Sequence, residues 1–150
     1  MASKLPLRAV PAGSGPAPRR TLRVVVADDD RDTANTLALL LKDEGHDVHT
    51  VLRGDEVLEL CRLVRPDAVI ADINMPGMSG YAIARELHER HGTLAPLLIA
   101  ISGAWTKSSD RMLGRAVGFD HYLLKPCDPR ELIPLLEPLR SAGSQSASNG

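Results

Sequence analysis

The chain has 150 residues, of which 43% are hydrophobic and 25% are charged, and its formal net charge is −1. This length suits one globular domain with a single core. No apolar run approaches the roughly 20 residues of a membrane-spanning helix, and the first residues lack the apolar segment of a signal peptide. We therefore expect a cytoplasmic protein with no membrane partner. Cys61 and Cys127 have no metal-type spacing, so we expect two reduced thiols.

The charge is distributed unevenly along the chain. The first 20 residues contain four basic side chains and no acidic one: Lys4, Arg8, Arg19 and Arg20. Removing these four from the 18 basic residues leaves 14 against 19 acidic residues, a net charge of −5 over residues 21–150. Because nucleic-acid binders usually carry a basic face, we expect no nucleic-acid partner. The leader, rich in proline and glycine, is predicted to be disordered over residues 1–20, although it could also contact an acidic partner.

Short apolar runs alternate with helical patterns through the rest of the chain. In chain order, the patterns predict a strand over 22–27, a helix over 32–44, a strand over 46–52, a helix over 54–64, a strand over 69–72, a helix over 80–91, a strand over 97–101, a weaker helix over 108–117, a strand over 121–124 and a last helix from Pro129. Five strands that alternate with five helices predict an α/β fold, with a parallel sheet covered by helices on both faces.

The last helix has a clear start and an uncertain end. Asp128 can cap it, and Pro129 suits its first turn. A proline deep in a helix removes a donor and clashes with the carbonyl four residues before it, at a cost of about 3 kcal/mol. Pro134 therefore predicts a kink or an end near Ile133. Residues 141–150 are rich in serine and glycine and are predicted to form a disordered tail.

Polar side chains follow four of the five predicted strands. They are Asp28 and Asp29 after the first strand, Asp72 after the third, Ser102 after the fourth and Lys125 after the fifth. The carboxyl ends of parallel strands share one edge of the sheet, so these groups should converge. Two carboxylates about 4 Å apart repel by about 4 kcal/mol at an effective dielectric near 20. Mg²⁺ would offset this repulsion, and an aspartate beside a metal, an ammonium and a hydroxyl is the arrangement expected of an aspartyl-phosphate nucleophile. Taken alone, Asp72 would fit a turn cap as well.

The same residues resemble the receiver domains of two-component response regulators. The resemblance covers about residues 22–137 and is carried by four segments: the Asp28-Asp29 pair, the run Asp72–Gly80, Ile101–Gly103 and Gly118–Pro126. It implies a flavodoxin-like, doubly wound five-stranded parallel sheet with strand order 2-1-3-4-5. We expect the receiver to span residues 21–140. Two of the segments look most like receivers attached to hybrid histidine kinases.

The resemblance also implies a phosphoacceptor and a metal site. Asp72 would accept a phosphoryl group from a histidine kinase or a histidine phosphotransfer protein, with Mg²⁺ as the cofactor. The metal ligands would be Asp29 and Asp72 directly, Asp28 largely through water, and the backbone carbonyl of Asn74. We expect the neighbouring acids Asp30 and Asp32 to start a helix rather than to bind metal, because negative charge is favourable at a helix N-terminus.

The resemblance further implies a switch. Ser102 and Lys125 would hold the phosphoryl oxygens, and Tyr122 would be the aromatic side chain that rotates on activation. Tyr122 also fits a static core residue, since buried aromatic rings usually serve packing. Trp105 lies three residues after Ser102, so its fluorescence should report movement of that connection.

Two other functions remain open from the sequence. A hydrolase similar to the haloacid dehalogenase family would need a second aspartate two residues after the nucleophile, where this chain has Asn74. A receiver-like binding module that is independent of phosphorylation would be expected to lack Asp29, Asp72 or Lys125, and all three are present. We therefore expect a single-domain response regulator that signals by protein contacts and is not an enzyme, apart from slow loss of its own phosphoryl group. The downstream target is unknown.

Overall fold

The structure is a computed structural model that describes residues 20–103 and 118–149. Three sequence-based predictions lie outside the described residues: the weak helix over 108–117, the position of Trp105, and the leader over residues 1–20 except for Arg20, which pairs with Asp67 at 2.9 Å. All other predicted helices and strands lie within the described residues.

Nine helices and strands follow one another in the described part of the chain. They are β1 (Arg23–Ala27), α1 (Arg31–Asp43), β2 (Asp47–Val51), α2 (Val57–Val64), β3 (Ala68–Asp72), α3 (Gly80–His91), β4 (Leu97–Ser102), β5 (His121–Leu124) and α4 (Pro129–Asn149). Short 3₁₀ turns precede α2 and follow α3, over Gly54–Glu56 and Gly92–Leu94. Among the described helices, none is long and apolar enough to cross a membrane.

The five strands form a single sheet in the order β2-β1-β3-β4-β5, and every neighbouring pair is parallel. The predicted α/β class and the predicted strand order 2-1-3-4-5 are confirmed. The register places Asp72 of β3 beside Ile101 of β4, and Ser102 beside Leu124 of β5. The carboxyl ends of these strands therefore lie side by side, and the residues that follow them are aligned along the carboxyl edge of the sheet.

Helices cover both faces of the sheet and create two apolar layers. On one face the buried residues of α1 and α4 pack against alternate residues of the central strands, and on the other face α2 and α3 do the same. Strand β3 is buried at all five of its positions, which explains the continuous apolar run of its first four residues, as expected of a parallel strand covered on both sides. Full burial of a large aliphatic side chain contributes about 1.5–3 kcal/mol, so these layers hold the polar edge in place.

Side-chain caps fix where three helices begin. Asp30 is the N-cap of α1, accepting hydrogen bonds from the backbone N–H of Asp32 at 3.2 Å and from the hydroxyl of Thr33 at 2.6 Å. Ser79 caps α3 through the backbone N–H of Ala82 at 3.2 Å, and the Asp128 carboxylate accepts from the second residue of α4 at 2.8 Å. The expectation that Asp30 and Asp32 start a helix is confirmed.

The predicted end near Ile133 is wrong, because α4 continues through Pro134 and Pro138 as far as Asn149, and the alternative of a kink stays a prediction. Both prolines are exposed, so the carbonyl groups that lose a donor lie on the side where water can replace it. On the opposite side, Leu132 and Leu136 are 0% and 1% exposed and pack in the core. Their burial offsets the cost of the prolines. Residues 141–149, predicted as a tail, have helical backbone.

Candidate functional site

The carboxyl edge of the sheet brings together the polar residues that the sequence places after the strands. Asp28 directly follows β1, Asp72 ends β3, Ser102 ends β4, and Lys125 directly follows β5. Asp28, Asp72 and Ser102 are buried, at 0%, 5% and 4% exposure. Asp29 is exposed beside them. The ends of these four strands thus lie together at the carboxyl edge of the sheet, where oppositely charged side chains come close enough to form ion pairs.

Lys125 joins the two buried carboxylates. Its Nζ lies 2.8 Å from Oδ2 of Asp28 and 3.0 Å from Oδ2 of Asp72. The remaining oxygens are also bound, since Oδ1 of Asp28 accepts from the backbone N–H of Asp30 at 2.8 Å and Oδ1 of Asp72 accepts from that of Asn74 at 3.0 Å. Charge-assisted hydrogen bonds of this kind are about twice as strong as neutral ones. Both aspartates are therefore held in a defined orientation.

Burial and the neighbouring polar groups shift the pKa values of Asp28 and Lys125 in opposite directions. Burial raises the pKa of Asp28, and the hydrogen bonds from Lys125 and from the Asp30 backbone offset this only in part. For Lys125, burial lowers the pKa, but hydrogen bonds to Asp28 and Asp72 outweigh it, and the pKa is raised. The lysine therefore stays protonated at neutral pH, while burial leaves the Asp28 carboxylate costly to ionise.

The acidic residues fit a divalent cation. Oxygen atoms of Asp28, Asp29 and Asp72 all lie within 4.8 Å of one another. A set made only of carboxylate oxygens, open to solvent on the side of Asp29, suits Mg²⁺, which keeps several water ligands. The backbone carbonyl of Asn74 as a further ligand stays a prediction.

Ser102 ends β4 and Tyr122 lies in β5, and their roles in the predicted switch stay predictions. The backbone carbonyl of Ser102 accepts from the N–H of Lys125 at 3.0 Å, which ties β4 to the lysine. The ring of Tyr122 meets Phe119 edge to face, with centroids 6.0 Å apart, and Phe119 meets Tyr81 in the same way at 6.4 Å. Tyr122 is therefore part of an aromatic row that packs against α3.

Sequence reasoning missed a steric requirement at the acidic edge. A Cβ on Gly80 would lie 2.8 Å from the carbonyl oxygen of Asp72 and 2.9 Å from Cα of Ile73. On the other side of the loop, a Cβ on Gly54 would overlap the carbonyl of Met78. Only the turn-forming property of Gly80 is visible in the sequence, because both close approaches involve segments that meet after folding.

The fold and this edge define a class: a doubly wound α/β domain whose carboxyl edge holds three acidic side chains and a lysine. The model of the family "Response regulator receiver domain" matches residues 24–137. The chain belongs to the response regulator receiver family, and the expected resemblance is confirmed.

Several relatives share this segment. The DNA-binding response regulator MtrA of Mycobacterium leprae is 36% identical over 111 residues, which covers 74% of this chain and 48% of MtrA. MtrA of Mycobacterium tuberculosis is also 36% identical over 111 residues, covering 74% of this chain and 47% of MtrA. The chain thus spans about half the length of the curated relatives it matches.

Solved structures agree with the sequence comparison. The chemotaxis response regulator CheY4 of Vibrio cholerae superposes with a TM-score of 0.72 at 26% identity, covering 79% of this chain and 98% of CheY4. The receiver domain of the Francisella response regulator 1452 superposes with a TM-score of 0.74 at 26% identity, covering 82% of this chain and 99% of that domain. Both superpositions cover nearly all of the other chain.

The expectation that nucleic acid is excluded as a partner is wrong, because the matched relatives are DNA-binding response regulators. The expectation rested on the net charge of residues 21–150. That charge describes the receiver segment, whereas more than half of each relative lies outside the matched region. The charge of a receiver therefore carries no information about what the protein as a whole binds.

Proposed function

We propose that this receiver accepts a phosphoryl group on Asp72 from a phosphohistidine of a kinase or phosphotransfer protein, with Mg²⁺ as cofactor. The observation that carries the proposal is the contact of one ammonium, Lys125 Nζ, with both Asp28 and Asp72 at 2.8 and 3.0 Å. Such a group of charges is costly to assemble for stability alone, since removing charges from water consumes most of their attraction. A function that uses the charge explains its presence.

In the proposed transfer, a carboxylate oxygen of Asp72 forms a bond to phosphorus as the bond from phosphorus to the histidine nitrogen breaks. The nitrogen keeps the electron pair of that bond, and the donor ring, which carries a proton on its other nitrogen, leaves as neutral imidazole. Lys125, already hydrogen-bonded to Oδ2 of Asp72, is positioned to follow the added charge onto a phosphoryl oxygen, as lysine commonly does with phosphate. Ser102 would donate its hydroxyl to another phosphoryl oxygen.

Asp28, Asp29 and Asp72 would hold Mg²⁺, with the backbone of Asn74 as the fourth protein ligand. The ion supplies positive charge next to the phosphoryl oxygens while their charge redistributes in the transition state. Burial raises the pKa of Asp28, so a cation bound to its carboxylate would offset part of the cost of keeping this buried group ionised.

We also propose that the chain is a phosphoryl acceptor rather than an enzyme acting on other substrates. An amide stands at Asn74, where a hydrolase of the related chemistry needs an acid. The receiver would supply the switch, and contact with DNA, as in the DNA-binding relatives, would require the part of their length that this chain does not match. The cytoplasmic location expected from the sequence stays a prediction.

The direct test is phosphorylation by phosphoramidate in the presence of Mg²⁺, followed by intact-mass spectrometry. Wild type should gain the mass of one phosphoryl group, and EDTA should prevent the gain. Asp72→Asn should not react, whereas Asp43→Asn, an exposed acid at the end of α1, should react like wild type. Labelling of Asp72→Asn, or no labelling of wild type by any phosphodonor, would contradict the assignment and favour a binding module that works without phosphate.

A second test addresses the switch. Beryllofluoride with Mg²⁺ imitates the phosphoryl group, and it should change the fluorescence of Trp105 in wild type and much less in Ser102→Ala. A hydrogen bond to a charged group contributes about 1.5–3 kcal/mol, enough to shift a two-state loop tenfold or more. An unchanged emission spectrum despite demonstrated binding of beryllofluoride would remove Ser102 from the coupling.

A further inference from the structure

A cleft lies at the amino edge of the sheet, on the side opposite to the acidic edge. It has a volume of about 440 Å³ and opens between α2 and α3, next to Pro66 before β3 and Pro96 before β4. Pockets that bind small organic ligands usually have volumes of about 300–1,000 Å³. None of the residues assigned to the receiver function lines this cleft.

Apolar side chains form part of the cleft lining. Cys61 of α2 and Leu87 of α3 belong to the core, at 5% and 1% exposure, and form its floor. Leu94, in the turn after α3, forms part of the wall and is 86% exposed. A leucine left this open to water beside a preformed apolar floor gains stability if an apolar group covers it.

The rim of the cleft is basic. Arg62, Arg65 and His91 line it, and the described lining contains no acidic side chain. The guanidinium of Arg62 already pairs with Glu59, whose carboxylate accepts two hydrogen bonds from it at 3.0 and 2.5 Å. For Arg65, in contrast, the described part of the chain offers the guanidinium no hydrogen bond or ion pair. The positive charge of Arg65 is therefore available to an anion at the mouth of the cleft.

The backbone at Arg65 supports a role for this side chain. Arg65 ends α2 in the left-handed conformation, with φ 53° and ψ 67°, where glycine or asparagine is usual and another residue costs about 1–2 kcal/mol. Capping does not explain the arginine, because the carbonyl of Val64 already accepts from the guanidinium of Arg23 at 3.1 Å. An arginine kept where glycine would be more stable points to a use of its charge.

We propose that this cleft binds a small amphipathic organic anion, with its apolar body on Cys61, Leu87 and Leu94 and its carboxylate, sulfonate or phosphate group on Arg65. His91, on the facing end of α3, would donate a second hydrogen bond to the anionic group. The site is independent of the proposed phosphorylation, since it lies at the other edge of the sheet.

The test uses 8-anilinonaphthalene-1-sulfonate, an aromatic anion whose fluorescence rises in apolar sites. The native protein should bind it saturably with one site, and Arg65→Gly should weaken binding at least about tenfold, the equivalent of one charge-assisted hydrogen bond. Because glycine suits the left-handed backbone, Arg65→Gly should be at least as stable as wild type, so weaker binding cannot come from unfolding. Arg85→Ala, an exposed arginine of α3 outside the cleft, is the matched control and should bind like wild type.

Two further measurements separate this site from nonspecific binding. N-phenyl-1-naphthylamine, which has the same rings without the sulfonate, should bind more weakly than the sulfonate to wild type and equally to wild type and Arg65→Gly. Leu94→Asp, which places a negative charge on the exposed wall, should also weaken binding of the sulfonate. Equal binding of the sulfonate to wild type, Arg65→Gly and Leu94→Asp, or absence of saturable binding, would overturn the proposal.

Discussion

Replacing Lys125 with methionine removes the ammonium while it retains an apolar stem of similar length. In wild type, this ammonium is the partner of Asp28 and Asp72, and the Lys125 side chain is only 21% exposed. Without it, the two buried carboxylates face each other, with the exposed Asp29 beside them. Methionine can restore neither the ion pair with Asp28 nor the hydrogen bond to Asp72.

The size of the effect follows from the distances. Two unit charges 4.8 Å apart, the upper limit for these oxygen atoms, repel by about 3.5 kcal/mol at an effective dielectric of 20. Removing one partner of a buried pair typically costs about 3–5 kcal/mol. Because Asp28 can escape part of the repulsion by taking up a proton, we expect Lys125→Met to lower the free energy of unfolding by about 3 kcal/mol at pH 8 without metal.

The loss should depend on pH in a defined direction. The pKa of Asp28 in the folded wild type is already raised above its usual value of 3.8, and loss of the ammonium raises it further. A raised carboxyl pKa means that the folded state holds the proton more tightly than the unfolded state, so its contribution to stability is full below the unfolded pKa and is lost as pH rises through the folded pKa. The deficit of Lys125→Met should therefore be smaller at pH 5 than at pH 8.

Urea unfolding in EDTA, followed by far-ultraviolet circular dichroism, measures the free energy of unfolding at pH 5 and at pH 8. Saturating Mg²⁺ should stabilise the variant more than wild type, because the ion relieves a larger repulsion and binds only the folded site. Lys42→Met, at an exposed position in the last turn of α1, is the control and should change stability little at either pH. A loss below about 1 kcal/mol at pH 8, or an equal loss at both pH values, would refute the argument that Lys125 neutralises buried Asp28.

Three other predictions concern packing. Gly80→Ala should destabilise the protein by about 1–3 kcal/mol in urea unfolding, because its Cβ would press on the Asp72 carbonyl at 2.8 Å. Gly103→Ala is the control, because Gly103 is exposed and has no atom within 4 Å of its Cβ, and an equal loss at the two positions would contradict the steric argument. Pro134→Ala should raise the melting temperature, since it restores a hydrogen bond in α4; an unchanged or lower value would mean that the proline is already accommodated. Burial raises the pKa of the Cys61 thiol to about 12, so its reaction with a disulfide reagent at pH 7.5 should be slow in the native protein and fast in urea, and rapid native labelling would show that the cleft floor opens.

The sequence by itself predicted most of the helices and strands, and the edge of the sheet at which the polar residues meet. Continuous apolar runs predicted the buried strands, and helical spacing with helix-start acids at Asp30 and Asp128 predicted where two helices begin, because these signals act over a few neighbouring residues. Polar residues after successive strands predicted one edge, since the strand direction in a parallel sheet places all carboxyl ends together. The strand order came from the resemblance rather than from the patterns.

Tertiary structure decided what depends on contacts between distant segments. The continuation of α4 past Pro134 follows from the burial of Leu132 and Leu136 against the sheet, which local helix propensity does not contain. The close approach of Gly80 to Asp72, and the pairing of Lys125 with Asp28 across nearly a hundred residues, exist only when loops from separate strands meet. The basic cleft beside Arg65 likewise arises from the ends of two helices and two strand-leading prolines. Distances of a few ångströms decide these effects, and sequence spacing fixes such distances only within a single helix or strand.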